Sequence, residues 1–159
     1  MPPAFPRPDA EVRGSYEWLD RVAAHLHGER RDAYHAMHAV LGALRDRLPV
    51  DVAASLSSHM PLLVRGIFFD GYEPARTAPR LRTVDQFVAD VRASLAARPH
   101  IDAGEAINAV LDTLTHHVDR AAFATIHAVL PPQLRAYLAL PVRGARRPRS
   151  KEAALAVEA

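Results

Sequence analysis

Apolar residues return at three- and four-residue spacing along most of this chain. Trp18, Leu19, Val22, Ala23 and Leu26 make one helix face. Ser15 is placed to cap that helix and Gly28 to end it, so residues 1–14, with four prolines, read as an extended arm. A second, longer face runs through Ala33, Met37, Val40, Leu41, Leu44 and Leu48, and Pro49 stops it. A short helix follows from Asp51 to Leu56, and Pro61 opens another over Leu62–Phe69. The same order then recurs. Thr83 and Gln86 form a capping-box pattern ahead of Val84, Phe87, Val88, Val91 and Leu95. Asp102 with Glu105 starts the helix of Ile107, Val110, Leu111 and Leu114. Asp119 caps a helix with Phe123, Ile126 and Val129, and Pro131-Pro132 begins the last one, ending near Leu138.

The recurrence is specific in spacing. Ala39-Val40-Leu41, Leu44, Met60-Pro61 and Arg65 return 70 residues later as Ala109-Val110-Leu111, Leu114, Leu130-Pro131 and Arg135. Trp18, Val22 and Leu26 return at 69 residues as Phe87, Val91 and Leu95. No segment alternates with a period of two. The expected fold is therefore all-α, about eight helices in two pseudo-repeats of four. Repeat one spans about 15–72, a linker about 73–82 and repeat two about 83–140, with a basic flexible tail over 141–159.

Composition narrows the partners. The calculated pI near 9.4 suggests a basic protein. Yet residues 1–140 hold 15 basic and 16 acidic groups, and residues 141–159 hold five and two. The body is nearly neutral, which is unlike a domain built to grip nucleic acid. Any such contact would fall to the tail arginines, Arg143, Arg146, Arg147 and Arg149, with Lys151. Having no cysteine, the chain has no disulfide, thiolate metal site or Cys nucleophile. No N-terminal signal core and no apolar run of about 18–20 residues is present, so a soluble cytoplasmic protein without membrane contact is expected.

Trp18-Leu19-Asp20-Arg21-Val22, Ala39-Val40-Leu41, Leu44-Arg45-Asp46-Arg47-Leu48-Pro49, Met60 to Gly66 and Asp70-Gly71-Tyr72-Glu73-Pro74 stand in a recognisable order. Over about residues 15–140 the chain resembles the bacterial DUF2267 family, a domain of unknown function. Tyr72 stands where that pattern usually has Trp, and Phe68-Phe69 where it commonly has tyrosines. The resemblance implies a small helical bacterial protein and names no activity.

Four groups of residues invite a chemical reading. His35 and His38 share a helix face, and His116 and His117 sit at the end of the matching helix, so each pair is a candidate for two metal ligands. A usable site needs a third ligand that the spacing does not supply, so surface histidines near helix ends are the plainer explanation. Arg65 and Arg135, each four residues after a proline, are candidates for binding an anion or for tying their helices to the scaffold. Phe68, Phe69 and Tyr72 form an aromatic cluster that serves either a partner interface or the closure of the bundle. Asp46 between Arg45 and Arg47 reads as part of a solvated face. No phosphate loop, nucleophile elbow or other catalytic motif appears, and no cofactor is implied. The sequence favours a non-enzymatic protein-interaction module, as a homodimer or with another protein. The alternatives are a small-ligand or metal binder using the cleft between repeats, and weak nucleic-acid contact through the tail.

Overall fold

Three helices begin where their capping residues stand. In the computed structural model, which describes residues 7–76 and 83–138, the Thr83 hydroxyl accepts from the Gln86 backbone N–H at 3.2 Å and starts α5 (Val84–Ser94). Asp102 accepts from Glu105 N–H at 3.0 Å and starts α6 (Ala103–His117). Asp119 accepts from Ala122 N–H at 2.8 Å and starts α7 (Arg120–Val129). The other helices are α1 (Pro8–Leu26), α2 (Arg30–Arg45), α3 (Val50–Ser57), α4 (Leu62–Phe69) and α8 (Pro132–Tyr137). A 3₁₀ turn spans Pro74–Arg76, and no strand occurs among the described residues, so the fold is all-α as expected.

The start of α1 differs from the expectation. Residues 8–14 are helical rather than an arm, with Pro8 at the first turn, and Ser15 lies buried inside the helix instead of capping it. The reason is tertiary. Pro61 gives α4 no side-chain cap, and α1 supplies one. Glu11 Oε2 accepts from Leu62 N–H at 2.8 Å, and Ser15 Oγ accepts from Leu63 N–H at 3.2 Å. Two otherwise orphaned donors are thereby satisfied across a gap of about fifty residues. The end of α1 also shifts by one position. His27, not Gly28, takes the left-handed conformation (φ 50°), while Gly28 N–H donates to Ala23 O at 3.0 Å. Gly28 answers a different need: a Cβ there would sit 2.7 Å from an Asp32 carboxylate oxygen. At the end of α2, Asp46, Arg47 and Leu48 continue as tight turns, which keeps Leu48 in the core.

Helices α2 and α6 pack on one another, α1 lies across both of them, and α5 lies mainly on α2. The covering helices thus reach across between the first half (residues 7–76) and the second (83–138). Met37, Leu41 and Leu44 meet Ile107, Leu111 and Leu114 in one continuous core, with Phe87 from α5 and Phe68 from α4. Alanines at 33, 36, 39, 103, 106 and 109 are all buried and let the central helices come close. Each fully buried Leu or Phe contributes about 1.5–3 kcal/mol, so the seam between the halves is a main source of stability. Residues 1–6, 77–82 and 139–159, including most of the expected linker and the basic tail, lie outside the described residues.

Candidate functional site

Arg65 and Arg135 hold the scaffold. Arg65 Nε donates to Ser57 O at 3.1 Å and Nη2 to Met60 O at 3.2 Å. Arg135 Nη2 donates to Leu130 O at 3.1 Å and to Ala128 O at 3.5 Å. Met60 and Leu130 are themselves 70 apart, so both arginines satisfy the same carbonyl at the end of the preceding helix.

The aromatic cluster divides. Phe68 is fully buried and belongs to the core, which removes it from any exposed patch. Phe69 is half-buried, its ring edge-on to Phe68 at 4.9 Å, and Tyr72 lies 5.9 Å further out. Beneath Tyr72, at 4.8 Å, is the guanidinium of Arg45. Reading Arg45 and Arg47 as a solvated face is therefore wrong. Their side chains are 7% and 2% exposed. Arg45 Nη1 donates to the carbonyls of Phe68 and Asp70, each at 2.9 Å, and Nη2 pairs with Asp46 at 2.8 Å. It closes the C-terminal end of α4. Arg47 donates to Ala43 O at 2.9 Å, pairs with Asp90 of α5 at 2.8 Å and lies 5.2 Å over the Phe87 ring, its Nε buried without a hydrogen-bond partner. Both were missed because arginine is read as outward-facing. The signal was present for one of them, since position 45 is four residues after Leu41 on the buried stripe.

The histidine pairs go to separate places. His38 meets Asp70 at 2.8 Å, while burial, then the charges of Arg98 and Arg31, holds His35 below the ordinary imidazole range. His117 stacks on Trp18 with ring centres 4.8 Å apart, and His116 stands edge-on to it at 4.9 Å. Burial, with the charges of His116 and Arg21, lowers the pKa of His117. Among the described residues, no three His, Asp or Glu side chains converge on a point where they could hold a metal ion.

What these residues do build is a pair of unequal seams. Where α5 lies on α2, a groove of about 350 Å³ opens, lined by His38, Gly42, Arg45, Asp46, Asp70, Asp90 and Ser94 among others. Where α1 lies on α6, the positions matching Gly42, Asp90 and Ser94 carry Asp112, Arg21 and His25. These bridge the seam: Asp112 accepts from Arg21 at 3.0 Å and meets His25 at 2.7 Å. Burial would raise the Asp112 pKa, but His25 and Arg21 outweigh it and hold the carboxyl below its ordinary value. A glycine and a serine leave open what an aspartate and a histidine close. The groove offers charge and hydrogen-bonding groups, the His38–Asp70 pair and the Ser94 hydroxyl among them, that a ligand or a side chain could meet.

Large apolar side chains also reach the surface. Leu62 is 64% exposed, Leu63 46% and Val12 54%. Leu62 and Leu63 stand at the start of α4, where Glu11 and Ser15 cap it, and Val12 stands on α1 beside Tyr16 and Arg30. No helix among the described residues is long and apolar enough to cross a membrane.

A family model described as Uncharacterized conserved protein (DUF2267) matches residues 15–137. No curated protein matches the chain.

Proposed function

We propose that this chain, which belongs to the DUF2267 family, is a non-enzymatic interaction module that engages a second copy or another protein through the α1–α4 junction. The observation that carries this reading is the exposure of Leu62, Leu63 and Val12 on a rigid support. Their backbone is fixed from α1, so they are held out rather than left loose. Exposing such side chains gives up burial that they would recover against a partner. The matching positions in the second half are Pro132 and Gln133, which gain far less from being covered.

Light scattering and native mass spectrometry of the untagged protein test this. The wild type is expected to self-associate or to retain a protein partner, and Leu62→Glu with Leu63→Glu to release it. A wild type that stays monomeric and bare at every concentration overturns the reading.

The α2–α5 groove supports a second reading, a binder of a small polar ligand. A thermal-shift screen with divalent metals, haem and charged metabolites tests it, Gly42→Asp being the variant that fills the groove as Asp112 fills the other seam. The absence of any shift overturns it.

A further inference from the structure

Among the described residues, four histidines meet aspartates, and three of these pairs join one half of the molecule to the other. His25 of α1 meets Asp112 of α6 at 2.7 Å. His59, between α3 and α4, meets Asp119 at the start of α7 at 3.7 Å. His100, between α5 and α6, meets Asp32 of α2 at 2.8 Å. Two further ion pairs cross the same boundary, Arg21–Asp112 and Arg47–Asp90, and their charge does not change with pH in the physiological range.

We propose that His25, His59 and His100 form a proton-tightened clasp that adjusts how firmly the two halves hold together. A neutral imidazole gives Asp112 and Asp32 an ordinary hydrogen bond, whereas His59, 3.7 Å from Asp119, is within reach of its charge only. An imidazolium gives the first two carboxylates a charge-assisted one, roughly twice as strong. Histidine is the side chain whose charge ordinarily changes between about pH 5 and 8, so the contacts are compared across that range.

Two of the three carboxylates also face a fixed cation. Asp112 faces His25 and Arg21 from α1. Asp32 faces His100 and the charge of Arg98 from the α5–α6 connection, with the Glu29 backbone N–H also donating to it. Asp119 faces His59, whose Nδ1 lies against Ser55 O and the Ser58 hydroxyl. The hydrogen bond from His100 holds Asp32 below the ordinary carboxylate range, and Asp112 is held low as described above. These carboxylates lose their contribution only as pH falls below the ordinary carboxylate value of 3.8.

Two histidines outside the clasp, His35 and His117, are held low by burial first and by neighbouring cations second, and respond to acid in the opposite sense. The test is therefore a difference between variants. Thermal unfolding of the full chain is measured at pH 8.5 and pH 6.0 for the wild type and for His25→Gln/His59→Gln/His100→Gln. The triple variant is expected to match the wild type to within about 1 °C at pH 8.5 and to fall about 2–4 °C below it at pH 6.0, the scale of three partly exposed pairs. An equal gap at both values overturns the clasp. Should the triple variant fail to fold, the three single variants read the same difference, and pH-independent gaps in all three overturn it equally.

Discussion

Replacing Arg45 by Met decides between two readings of the same residue. On a solvated face, the change removes a charge and costs less than about 0.5 kcal/mol. In the structure Arg45 has three tasks. Its Nη1 satisfies Phe68 O, which is buried, and leaving that carbonyl unpaired costs about 1–3 kcal/mol. It also satisfies Asp70 O, a partly buried acceptor that water can reach, at about 0.5–1 kcal/mol. Its place against the Tyr72 ring adds about 0.5–1 kcal/mol. The pair with Asp46 is discounted to a few tenths, because that carboxylate is 39% exposed. Met keeps the apolar stem and returns part of the packing. The net expected loss is about 2–4 kcal/mol, a large share of the roughly 5–15 kcal/mol that holds an ordinary domain together. Urea denaturation followed by emission of the single tryptophan, Trp18, measures it. Asp46→Asn is the companion variant, expected to lose under about 0.5 kcal/mol. A loss below about 1 kcal/mol for Arg45→Met would show that the guanidinium is solvated and that α4 ends without it.

Three further outcomes follow from the geometry. His27→Gly relieves a left-handed residue at the end of α1 and is expected to gain about 0.5–1 kcal/mol, whereas Gly28→Ala drives a methyl against Asp32 and is expected to lose about 1–2 kcal/mol; reversed signs in denaturation would refute that assignment. His117 is held below the ordinary imidazole value of 6.5 by burial, then by His116 and Arg21. The unfolded chain therefore takes up the proton first, and stability falls as pH drops through 6.5. His117→Gln should remove that part of the acid loss in melting curves between pH 7 and 5.5; a wild type that gains on acidification relative to the variant would show that the Trp18 face and the α6 C-terminus win instead. Gly42→Ala meets only ordinary contact, 3.8 Å from Arg45 Nη2, and should leave the melting temperature within about 2 °C, while a larger fall would mean that the groove closes in solution.

Periodicity made most of the fold legible. The stripes of α2 and α6, the caps at Thr83, Asp102 and Asp119, and the prolines before α4 and α8 are local signals that the tertiary structure does not override. What stayed hidden was non-local. Residues 8–14 become helical because α4 needs Glu11 and Ser15, and nothing near residue 8 announces that need. Arg47 turns inward because Phe87 and Asp90 arrive from the other half. The groove cannot be seen in any one segment, since its walls come from α2, α5 and the end of α4.

Comparing positions 70 residues apart turns this into an argument about where function lies. In the core the matched residues keep their character, Val40 with Val110, Leu41 with Leu111 and Leu44 with Leu114, and so do the helix-tying arginines Arg65 and Arg135. At the seams and on the surface they do not. Arg47 over Phe87 is matched by His117 over Trp18, a fixed charge by a titratable ring. Gly42 beside an open groove is matched by Asp112 in a bridged seam. Leu62 and Leu63, exposed, are matched by Pro132 and Gln133. Packing demands explain the first set and make no demand for the second. A scaffold alone would be served by two like halves, which is why the proposed partner and ligand contacts are placed at the differences, at Leu62–Leu63 and along the α2–α5 groove.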